Sequence, residues 1–549
     1  MARHHAAGGA PAGAAGAGAW APLRERSFLL IWSAAVLSNI GTWMHDVAAA
    51  WLMTSLAPAP LMVAMVQAAV SLPVFLFALP AGALADLVDR RRLLLLLQVA
   101  AGCLAAVLAM IVATGLITPE LLLLATFLIG TTTALGAPAW QAITPDLVPR
   151  TLLTQAVALN GVGINIARAI GPALGGLIIA SLGLAWPFLF NALSFLVVIS
   201  ALLLWRAPPR PTSVLPAERL FGAMRSGMRY ARSSLHLRAT LVRSAAFFLF
   251  ASAFWALLPL VARGPLAGGP GLYGSLLASV GCGAVLAAAA LPRLKARLGA
   301  DGMVMAGTAL LAAAMTCLGL LPMLAVALPA CLLAGLAWIA VLSSLNVSAQ
   351  MSLPAWVRSR GLAVNLAVFF GSMTAGSVLW GVVAGVIGPL ATLPVAAAGA
   401  VVGLVATRSW HLLGDDVPDL SPSGHWPAPV LDQAAATDGG PVLVTVEYRI
   451  DPHDAPAFAD AMAELGRSRR RDGAFFWRVF VDAADPQRRI EAFMLESWLD
   501  HLRQHERVTA ADREIQERVH AFHRSSERPL VTHLLAEQHP GVTRHYQGS

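Results

Sequence analysis

The pattern of hydrophobic and polar residues divides the chain into a long apolar part and a shorter mixed part. From about Ser27 to Trp410, long apolar runs are separated by short charged or Pro/Gly-containing breaks. A helix needs about 20 apolar residues to cross the hydrocarbon core of a bilayer. The pattern therefore predicts twelve transmembrane helices, at residues 28–53, 61–85, 93–116, 120–142, 157–181, 187–205, 244–262, 272–292, 302–321, 325–348, 362–386 and 390–410.

A different pattern begins after the last apolar run. Segments with strand-like alternation or helix-like spacing follow one another at residues 442–450, 454–469, 475–481, 489–496, 498–523 and 530–537. The order strand, helix, strand, strand, helix, strand is that of the ferredoxin-like split βαβ unit. We therefore predict an all-α membrane protein that carries a C-terminal α+β ferredoxin-like domain.

The longest loop of the membrane part separates the sixth span from the seventh, so the twelve spans form two six-helix halves. Corresponding loops resemble each other, because Pro145–Arg150 after the fourth span and Pro354–Arg360 after the tenth each lead into a Gly-rich span. Such a repeat is typical of secondary transporters whose halves rock about a central site. The predicted parts are a flexible N-terminal tail (1–26), the first half (27–206), a cytoplasmic central loop (207–243), the second half (244–410), a linker (411–441) and the ferredoxin-like domain (442–540).

Composition agrees with this division and excludes a soluble enzyme of this size. Charged residues make up 12% of the 549 residues and hydrophobic residues 57%, with a mean hydropathy of +0.68, whereas about 25% charged residues is usual for soluble domains. The four cysteines lie inside apolar segments and suit neither a disulfide framework nor a metal site. The membrane part has no nucleotide-binding motif, so we expect an ion gradient as the energy source, with no cofactor, no metal and no nucleic-acid partner.

The distribution of basic residues predicts the orientation in the membrane. Cytoplasmic loops carry an excess of Lys and Arg. One set of loops holds nearly all the basic residues, whereas the opposite set has only Arg263. Both termini are therefore predicted to be cytoplasmic. Residues 218–243 of the central loop mix Arg with apolar residues at helical spacing, which favours an amphipathic segment on the inner leaflet and leaves a regulatory site as the alternative.

The loop between the second and third spans carries the most specific motif, Gly82-Ala-Leu-Ala-Asp86-Leu-Val-Asp89-Arg-Arg-Arg. Gly82 permits close helix packing, and Asp86 can pair with an arginine or with a helix N-terminus. The motif resembles the loop signature of the major facilitator superfamily, although Leu87 and Asp89 stand where that signature has Arg and Gly. In the alternative, the charges only stop translocation. The predicted conformational latch consists of Gly82, Asp86, Asp89, Arg90, Arg91 and Arg92.

The fifth span contains Gly171-Pro172-Ala-Leu-Gly175-Gly176, which resembles the antiporter motif of exporters in the same superfamily. Proline kinks a helix, and glycines allow a neighbouring helix to approach. Arg168 lies near the middle of the bilayer, where an unpaired charge costs about 2.5 kcal/mol or more. We expect it to line the transport pathway or its gate, with a fixed ion pair as the alternative. A stripe of small and polar residues at helical steps contains Gly161, Asn165, Arg168, Pro172 and Gly175.

Two titratable residues, His45 and Asp46, fall inside the first span. A buried acid can take up and release a proton as its exposure alternates. Asp46 is therefore the first candidate for proton coupling, and His45 is the second. In the alternative, Asp46 lies near the outer interface and is solvated. Other polar residues of the spans line the pathway or join helices: Asn39, Gln67, Asn191, Asn346 and Gln350.

Taken together, these features resemble the enterobactin-exporter-like branch of the major facilitator superfamily, the transmembrane secretion effectors. The resemblance implies a multi-pass transporter of a bacterial inner membrane, and not an enzyme. It further implies export of a hydrophobic or siderophore-like small molecule by alternating access, coupled to the proton gradient. Uptake or uniport is the alternative transport function.

The C-terminal domain has aromatic residues at Phe475-Phe476-Trp477 and at Phe493. It resembles the antibiotic-biosynthesis-monooxygenase-like modules that pair into dimeric α+β barrels. The resemblance implies a homodimer through this domain, in a dimerising or regulatory role, with a small cofactor-independent monooxygenase-type enzyme as the alternative. His501 and His505 share a face of the second predicted helix, near His520 and His523. No carboxylate accompanies the pair in a defined geometry, which favours a solvated charged face over a metal site.

Overall fold

The computed structural model describes residues 18, 20–206, 220–414, 419–426 and 439–536. The predicted N-terminal tail up to residue 17, residues 207–219 of the central loop and residues 427–438 of the linker lie outside the described residues, as does the side chain of Asp86. The described residues form two compact units. The membrane unit contains residues 20–206, 243–345 and 366–409, and the C-terminal unit contains residues 220–242, 346–365 and the described residues from 410 onwards.

The first half of the membrane unit consists of six long helices. They are α1 (Arg26–Leu56), α2 (Pro60–Leu87), α3 (Arg90–Ala113), α4 (Pro119–Leu147), α5 (Leu153–Leu182) and α6 (Ala185–Leu204). Side-chain caps mark two of the starts, because Asp89 accepts a hydrogen bond from a backbone N–H of α3 and Thr118 from one of α4. Gly183 ends α5 with a φ of 106°, a backbone conformation that residues with a Cβ rarely adopt.

A shorter helix, α7, precedes the helices of the second half. The bounds are α7 (Leu220–Ser233), α8 (Leu235–Arg263), α9 (Pro270–Leu320), α10 (Leu324–Met351), α11 (Arg358–Ile387) and α12 (Pro389–Ala406). Helix α9 has 51 residues, far more than the about 20 that a single crossing needs. Gly299 interrupts its helical geometry with a φ of 66°.

The count of membrane-spanning helices differs from the twelve predicted spans. Among the residues that the structure describes, eleven helices are long and apolar enough to cross a membrane. The difference arises in α9, which contains both the predicted span 272–292 and the predicted span 302–321. The chain is mostly helical in this region, as expected for a membrane transporter.

Helix packing within the membrane unit joins distant parts of the sequence. In the first half, α1 lies against α5 and α6, α2 against α4, and α3 against α6. Helix α5 also packs along α9, so it connects the first half to the second. A cluster of buried apolar residues holds the first half together and includes Phe28, Leu94, Ile143, Leu159 and Leu202.

The C-terminal unit contains a four-stranded antiparallel sheet in the order β2-β3-β1-β4. Alternate residues of β1, such as Val444 and Tyr448, are buried against Phe458 of the following helix. On the opposite face of the sheet, Phe480 and Leu534 are exposed. The elements are β1 (Val442–Arg449), α13 (Ala455–Asp472), β2 (Phe476–Val481), β3 (Arg488–Leu495), α14 (Trp498–Arg507), α15 (Ala510–His520) and β4 (Leu530–Leu535).

The single helix predicted at 498–523 is wrong, because the structure has two helices there. Helix α14 ends at Arg507, and α15 begins at Ala510. Thr509 accepts a hydrogen bond from the backbone N–H of Asp512, whose side chain accepts one from the backbone N–H of Thr509. This capping box favours a new helix start over a continued helix.

Helix α7 packs against other segments of the C-terminal unit, to which it belongs. Tyr230 donates its hydroxyl to the backbone carbonyl of Ser352 at 2.9 Å, and the guanidinium of Arg471 lies 5.6 Å from the centre of its ring. Arg225 forms an ion pair with Glu496 at 2.8 Å. Burial, the largest cause, raises the pKa of Tyr230 to about 12. Tyr230 of this predicted surface segment therefore contacts α13 and the turn after α10.

Candidate transport site between the helical halves

The glycines of the fifth-span motif mark places where α5 touches other helices closely. A Cβ on Gly171 would lie 2.5 Å from the Cβ of Trp43, and one on Gly175 would lie 3.1 Å from the Cα of Met44, both in α1. A Cβ on Gly176 would lie 2.8 Å from the Cα of Gly274 in α9. Only glycine fits at the α5–α9 contact without moving a backbone. The motif therefore joins α5 to its own half and to the second half.

Arg263, at the end of α8, connects the two halves at the side where α1 ends. Its Nη1 donates to the hydroxyl of Thr54 at 2.8 Å and to that of Ser55. Its guanidinium lies 5.5 Å from the ring centre of Trp51, and Trp51 stacks on Tyr273 of α9 at 5.9 Å. Helices α1, α8 and α9 thus meet at this side, and we call these five residues the Arg263 clamp.

A second contact lies at the same side, between α2 and α11. A Cβ on Gly381, near the end of α11, would lie 3.0 Å from the Cα of Leu61, near the start of α2. Helix α2 starts and α11 ends at the side of the bundle where the Arg263 clamp lies. The halves are therefore in close contact at two places on this side, where α1 meets α8 and α9 and where α2 meets α11.

The structure separates the two candidates for proton coupling. His45 is 1% exposed and packs edge-on against the ring of Phe188 in α6 at 5.0 Å. Its ring nitrogens have no hydrogen-bond partner among the described residues. Asp46 is partly exposed and lies near enough to Tyr273 for an electrostatic interaction. Asp46 therefore lies at the junction with the second half, whereas His45 is enclosed within the first.

Arg168 of α5 lies against an aromatic ring. Its guanidinium is 5.7 Å from the ring centre of Trp43 in α1, a distance at which a cation and an aromatic face attract each other. Its buried Nε has no hydrogen-bond partner among the described residues. No ion pair of Arg168 occurs among the side chains that the structure describes, so the fixed ion pair considered above finds no support in this part of the chain.

The remaining pathway candidates do not converge on one point. Asn39 is exposed, the Gln67 amide donates to Ser71 one turn along the same helix at 3.2 Å, and the Asn165 amide donates to the carbonyl of Gly161 at 3.0 Å. The bonds of Gln67 and Asn165 are contacts within a single helix, and they hold these two side chains locally. The role of all three residues in transport remains a prediction.

Two basic residues of the predicted latch bind backbone carbonyls of other helices. Arg91 donates to the carbonyls of Leu202 and Leu203 at the end of α6, at 2.8 and 2.9 Å. Arg90 donates to the carbonyl of Ala142 in α4 at 2.9 Å. The carbonyls of Leu202 and Leu203 are among the last four of α6, lack partners within their own helix and favour a positive charge. Gly82 differs from the expectation, because a Cβ there would meet nothing within 4 Å.

The C-terminal unit holds a separate cavity of about 550 Å³ between the covered face of the sheet and the helices α14 and α15. His501, His505 and His533 line it together with Trp426. Burial, the largest cause, together with the neighbouring imidazoles and Arg469, lowers the pKa of His501 to about 3 and that of His505 to about 4. These two imidazoles are therefore neutral at physiological pH.

Sequence reasoning missed the residues that join distant segments. Arg263 entered only as the exception to the charge rule, although a lone arginine among apolar loops was a signal of its own. Tyr273 and Gly274 carried no signal, because their partners are about 100 to 220 residues away in the chain. His533 was missed for the same reason, since only the pairing of β4 with β1 brings it near α14.

Comparisons with known proteins identify one family over most of the chain and relatives of parts of it. A family model described as "Transmembrane secretion effector" matches residues 17–541, a range that includes the helices and the C-terminal sheet. The staphyloferrin A transporter of Staphylococcus aureus is 24% identical over 272 residues, which are 49% of this chain and 68% of that protein.

The enterobactin exporter EntS of Shigella boydii is 34% identical over 164 residues, or 28% of this chain and 36% of the exporter. EntS of Salmonella typhi is 33% identical over 171 residues, or 29% of this chain and 38% of the exporter. The chain therefore matches little more than a third of the length of these exporters.

Solved structures share the fold of the helical part. A bacterial homologue of the human lysosomal transporter Spinster, in an inward-facing and unoccupied conformation, has a TM-score of 0.53 at 16% identity and covers 71% of this chain and 98% of its own. An auto-inhibited POT family peptide transporter has a TM-score of 0.58 at 16% identity and covers 72% and 99%. At these identities the likeness shows the fold alone.

Proposed function

The chain belongs to the transmembrane secretion effector family of the major facilitator superfamily, and from this we propose that it exports a siderophore-like small molecule in exchange for protons. It is a multi-pass membrane transporter, homologous to siderophore exporters and transporters. The relatives supply the substrate class, because one is named for staphyloferrin A and others for enterobactin. Bacterial inner membranes are the proposed location.

The observation that carries the proposal is the close contact of the two halves at the Arg263 clamp and at Gly176. Alternating access requires a contact between halves that forms in one state and separates in the other. The hydrogen bond from Arg263 to Thr54 can break and form again. The contact of Gly176 with Gly274 has no interlocking side chains, so the two helices can separate and return there. In our proposal α9 crosses the membrane twice, before and after Gly299, so that two six-helix halves rock about this seam.

Orientation follows from the basic residues. If both termini are cytoplasmic, the clamped side is the outer side, and the pathway is closed towards the outside. Substrate would then enter from the cytoplasm and leave when the clamp opens. Arg90 and Arg91, at the opposite ends of the helices, are proposed to hold α4 and α6 in place through backbone carbonyls of these helices as the halves move.

Asp46 is the proposed proton carrier. It is the acid of α1, and it lies near enough to Tyr273 of α9 for an electrostatic interaction. A carboxylate there gains or loses access to water when the junction opens or closes, which shifts its protonation with the state of the transporter. Arg168, which lies against Trp43 in the same half, is proposed to attract the negative charge of the substrate.

The C-terminal domain is proposed to be ferredoxin-like and to dimerise. The sheet order β2-β3-β1-β4 with antiparallel neighbours supports the first point. The exposed apolar face of the sheet, which bears Phe476, Phe480, Leu530 and Leu534, supports the second. A second copy of the same face is the proposed occupant, because this is how the modules that the sequence resembles pair.

Transport into membrane vesicles tests the proposal. Everted vesicles from cells that express the chain are energised, and the uptake of iron-free enterobactin and staphyloferrin A is compared with that of vesicles without it. Export predicts accumulation that an uncoupler abolishes. Accumulation in right-side-out vesicles instead would show uptake, and equilibration without accumulation, unchanged by the uncoupler, would show uniport. Failure with both compounds in both kinds of vesicle would contradict the proposed substrate class.

A further inference from the structure

Three histidines from two distant segments converge in the cavity of the C-terminal unit. His501 and His505 lie one turn apart on α14, with 3.3 Å between their Nε2 atoms. His533 lies on β4, opposite Val444 of β1, so its side chain projects from the covered face of the sheet. Its ring centre is 4.7 Å from that of His501. One ligand atom from each of the three imidazoles lies within 4.8 Å of the other two.

We propose that His501, His505 and His533 form a binding site for a divalent transition-metal ion. Imidazole nitrogen is a preferred ligand of Zn²⁺, Ni²⁺ and Cu²⁺, and three histidines with an open fourth position are a known arrangement for such ions. At a metal–nitrogen distance of about 2.0–2.1 Å, tetrahedral ligands lie about 3.3 Å apart. The separation of the His501 and His505 nitrogens matches this value, and the His533 ligand atom lies within 4.8 Å of both, so metal binding would draw it closer.

Buried polar atoms beside the cluster can hold the ring of His501 in a ligating orientation. His501 is 1% exposed, and its Nδ1 has no hydrogen-bond partner among the described residues. The side chain of Gln504, on the same helix, is fully buried close to the His501 ring. Buried polar groups are normally hydrogen-bonded. A ligating histidine usually donates its other ring N–H to an oxygen, and the Gln504 oxygen is the nearby candidate.

The charged surroundings are compatible with a bound cation. Arg469 lines the same cavity, but its Nε donates to the carboxylate of Glu491 at 3.0 Å, which balances its charge. Arg513 and Glu517, one turn apart on α15, also line the cavity and form an ion pair at 2.7 Å. These two arginines each have a carboxylate partner, whereas Arg528, which also lines the cavity, forms no ion pair among the described residues.

The cavity gives the metal an open coordination position. The ring of Trp426 packs edge-on against His505 at 4.8 Å and forms part of the wall. The remaining volume of about 550 Å³ exceeds what a single water needs. A water or a small oxygen-donor ligand can therefore complete the coordination. This site is independent of the proposed transport function.

Cobalt binding by the full-length protein in detergent tests the site. The protein carries no histidine tag and is treated with a chelator before titration with Co²⁺. We expect about one high-affinity Co²⁺ per chain, with the intense visible bands of four-coordinate cobalt. His505→Ala and His533→Ala should each weaken binding more than about 100-fold, because even outer partners of ligands contribute roughly 10- to 100-fold. His453→Ala, which changes an exposed histidine of the same domain, is the matched control and should bind as the wild type does.

Copper provides the readout that separates ligation from folding. With Cu²⁺, the electron paramagnetic resonance spectrum should show three imidazole nitrogens in the wild type and two in His533→Gln, a variant that keeps a polar side chain of similar size. Thermal unfolding of each variant is measured alongside. Absence of stoichiometric binding in the wild type, or unchanged affinity and nitrogen count in a folded His533→Gln, would overturn the proposal and leave a hydrogen bond between His501 and His505.

Discussion

Arg263 at the end of α8 donates a hydrogen bond to the hydroxyl of Thr54 at the end of α1, at 2.8 Å. The two residues belong to different halves of the helical bundle, so this bond holds the halves together at one side. Arg263 is also the only basic residue in the loops of that side. A transporter that opens there must break this contact.

Replacing Arg263 by Ala should shift the protein towards the state that is open at the clamp. Hydrogen bonds from a charged donor contribute about 1.5–3 kcal/mol, so the equilibrium should change by at least about tenfold. Spin labels at Ala59→Cys and Leu321→Cys, both exposed in loops of this side, report the distance between the halves. The native cysteines are replaced in this background.

The expected result is a larger population of long distances in Arg263→Ala. Arg150→Ala, which changes an exposed arginine at the opposite side, should leave the distance distribution unchanged. Identical distributions in Arg263→Ala and the unsubstituted background would show that the clamp does not hold the closed state.

Replacing Gly176 by Val should stop transport while the protein still reaches the membrane. The new side chain would meet the backbone of Gly274 and of Pro270 in α9, at 2.8 and 2.7 Å from its Cβ alone. Overpacking of this kind costs about 1–3 kcal/mol, and it separates helices that must pack in one state. Siderophore uptake by everted vesicles should fall at least about tenfold.

Gly161→Ala is the matched control on the same helix. A Cβ at Gly161 meets nothing within 4 Å, and alanine favours a helix by about 1 kcal/mol over glycine. Its uptake should equal that of the wild type. Equal uptake by Gly176→Val would mean that the α5–α9 contact is not needed in the transport cycle.

Replacing Phe480 by Arg should prevent dimerisation of the full-length protein. Phe480 is 49% exposed on the uncovered face of the sheet, where a charge would be buried by a second copy. We expect the dimer to weaken at least about tenfold, as measured by the mass of the protein in detergent. Val481→Arg changes the next residue of the strand, on the other face, and should leave the dimer intact. A monomeric wild type would contradict the dimer proposal.

Acid should loosen the contact between α13 and α15 through Asp512. Burial alone raises the pKa of Asp512, but the charge of Arg471 and the hydrogen bonds from Arg471 and Thr509 lower it further than burial raises it. The folded-state pKa is therefore below the unfolded value of about 3.9. The resulting stability is present above about pH 4 and is lost as the pH falls through the folded pKa.

Hydrogen exchange of the peptide 510–520, corrected for the intrinsic rate, measures this effect in the whole chain. Exchange should accelerate below about pH 4 in the wild type. Asp512→Asn should exchange faster than the wild type at neutral pH and show a smaller change on acidification. A variant with the same pH profile as the wild type would remove Asp512 as the cause.

The sequence predicted those helices and strands that depend on the pattern of adjacent residues. The predicted span 28–53 lies within α1, and the predicted strand 442–450 exceeds β1 by one residue, because apolar length and alternation are properties of adjacent residues. The division at Thr509 was missed, although the capping pair Thr509 and Asp512 was visible in the sequence. Contacts between distant segments gave no local signal.

The candidate site shows the same limit. Glycine spacing identified Gly176 but not its partner Gly274, and helical spacing identified His501 and His505 but not His533. Sequence alone placed His45 and Asp46 together, since they are neighbours. The structure separates them, because consecutive residues of a helix point about 100° apart.

The role of Asp46 is tested most directly by separating gradient-driven transport from exchange. Asp46→Asn cannot release a proton, so in everted vesicles it should fail to accumulate siderophore when a proton gradient is applied. It should still exchange labelled for unlabelled siderophore across the membrane without a gradient, because exchange needs the rocking of the halves but no net proton movement. Glu120→Gln, which neutralises an exposed acid at the start of α4, should keep both activities. Gradient-driven accumulation by Asp46→Asn equal to that of the wild type would contradict proton coupling through Asp46.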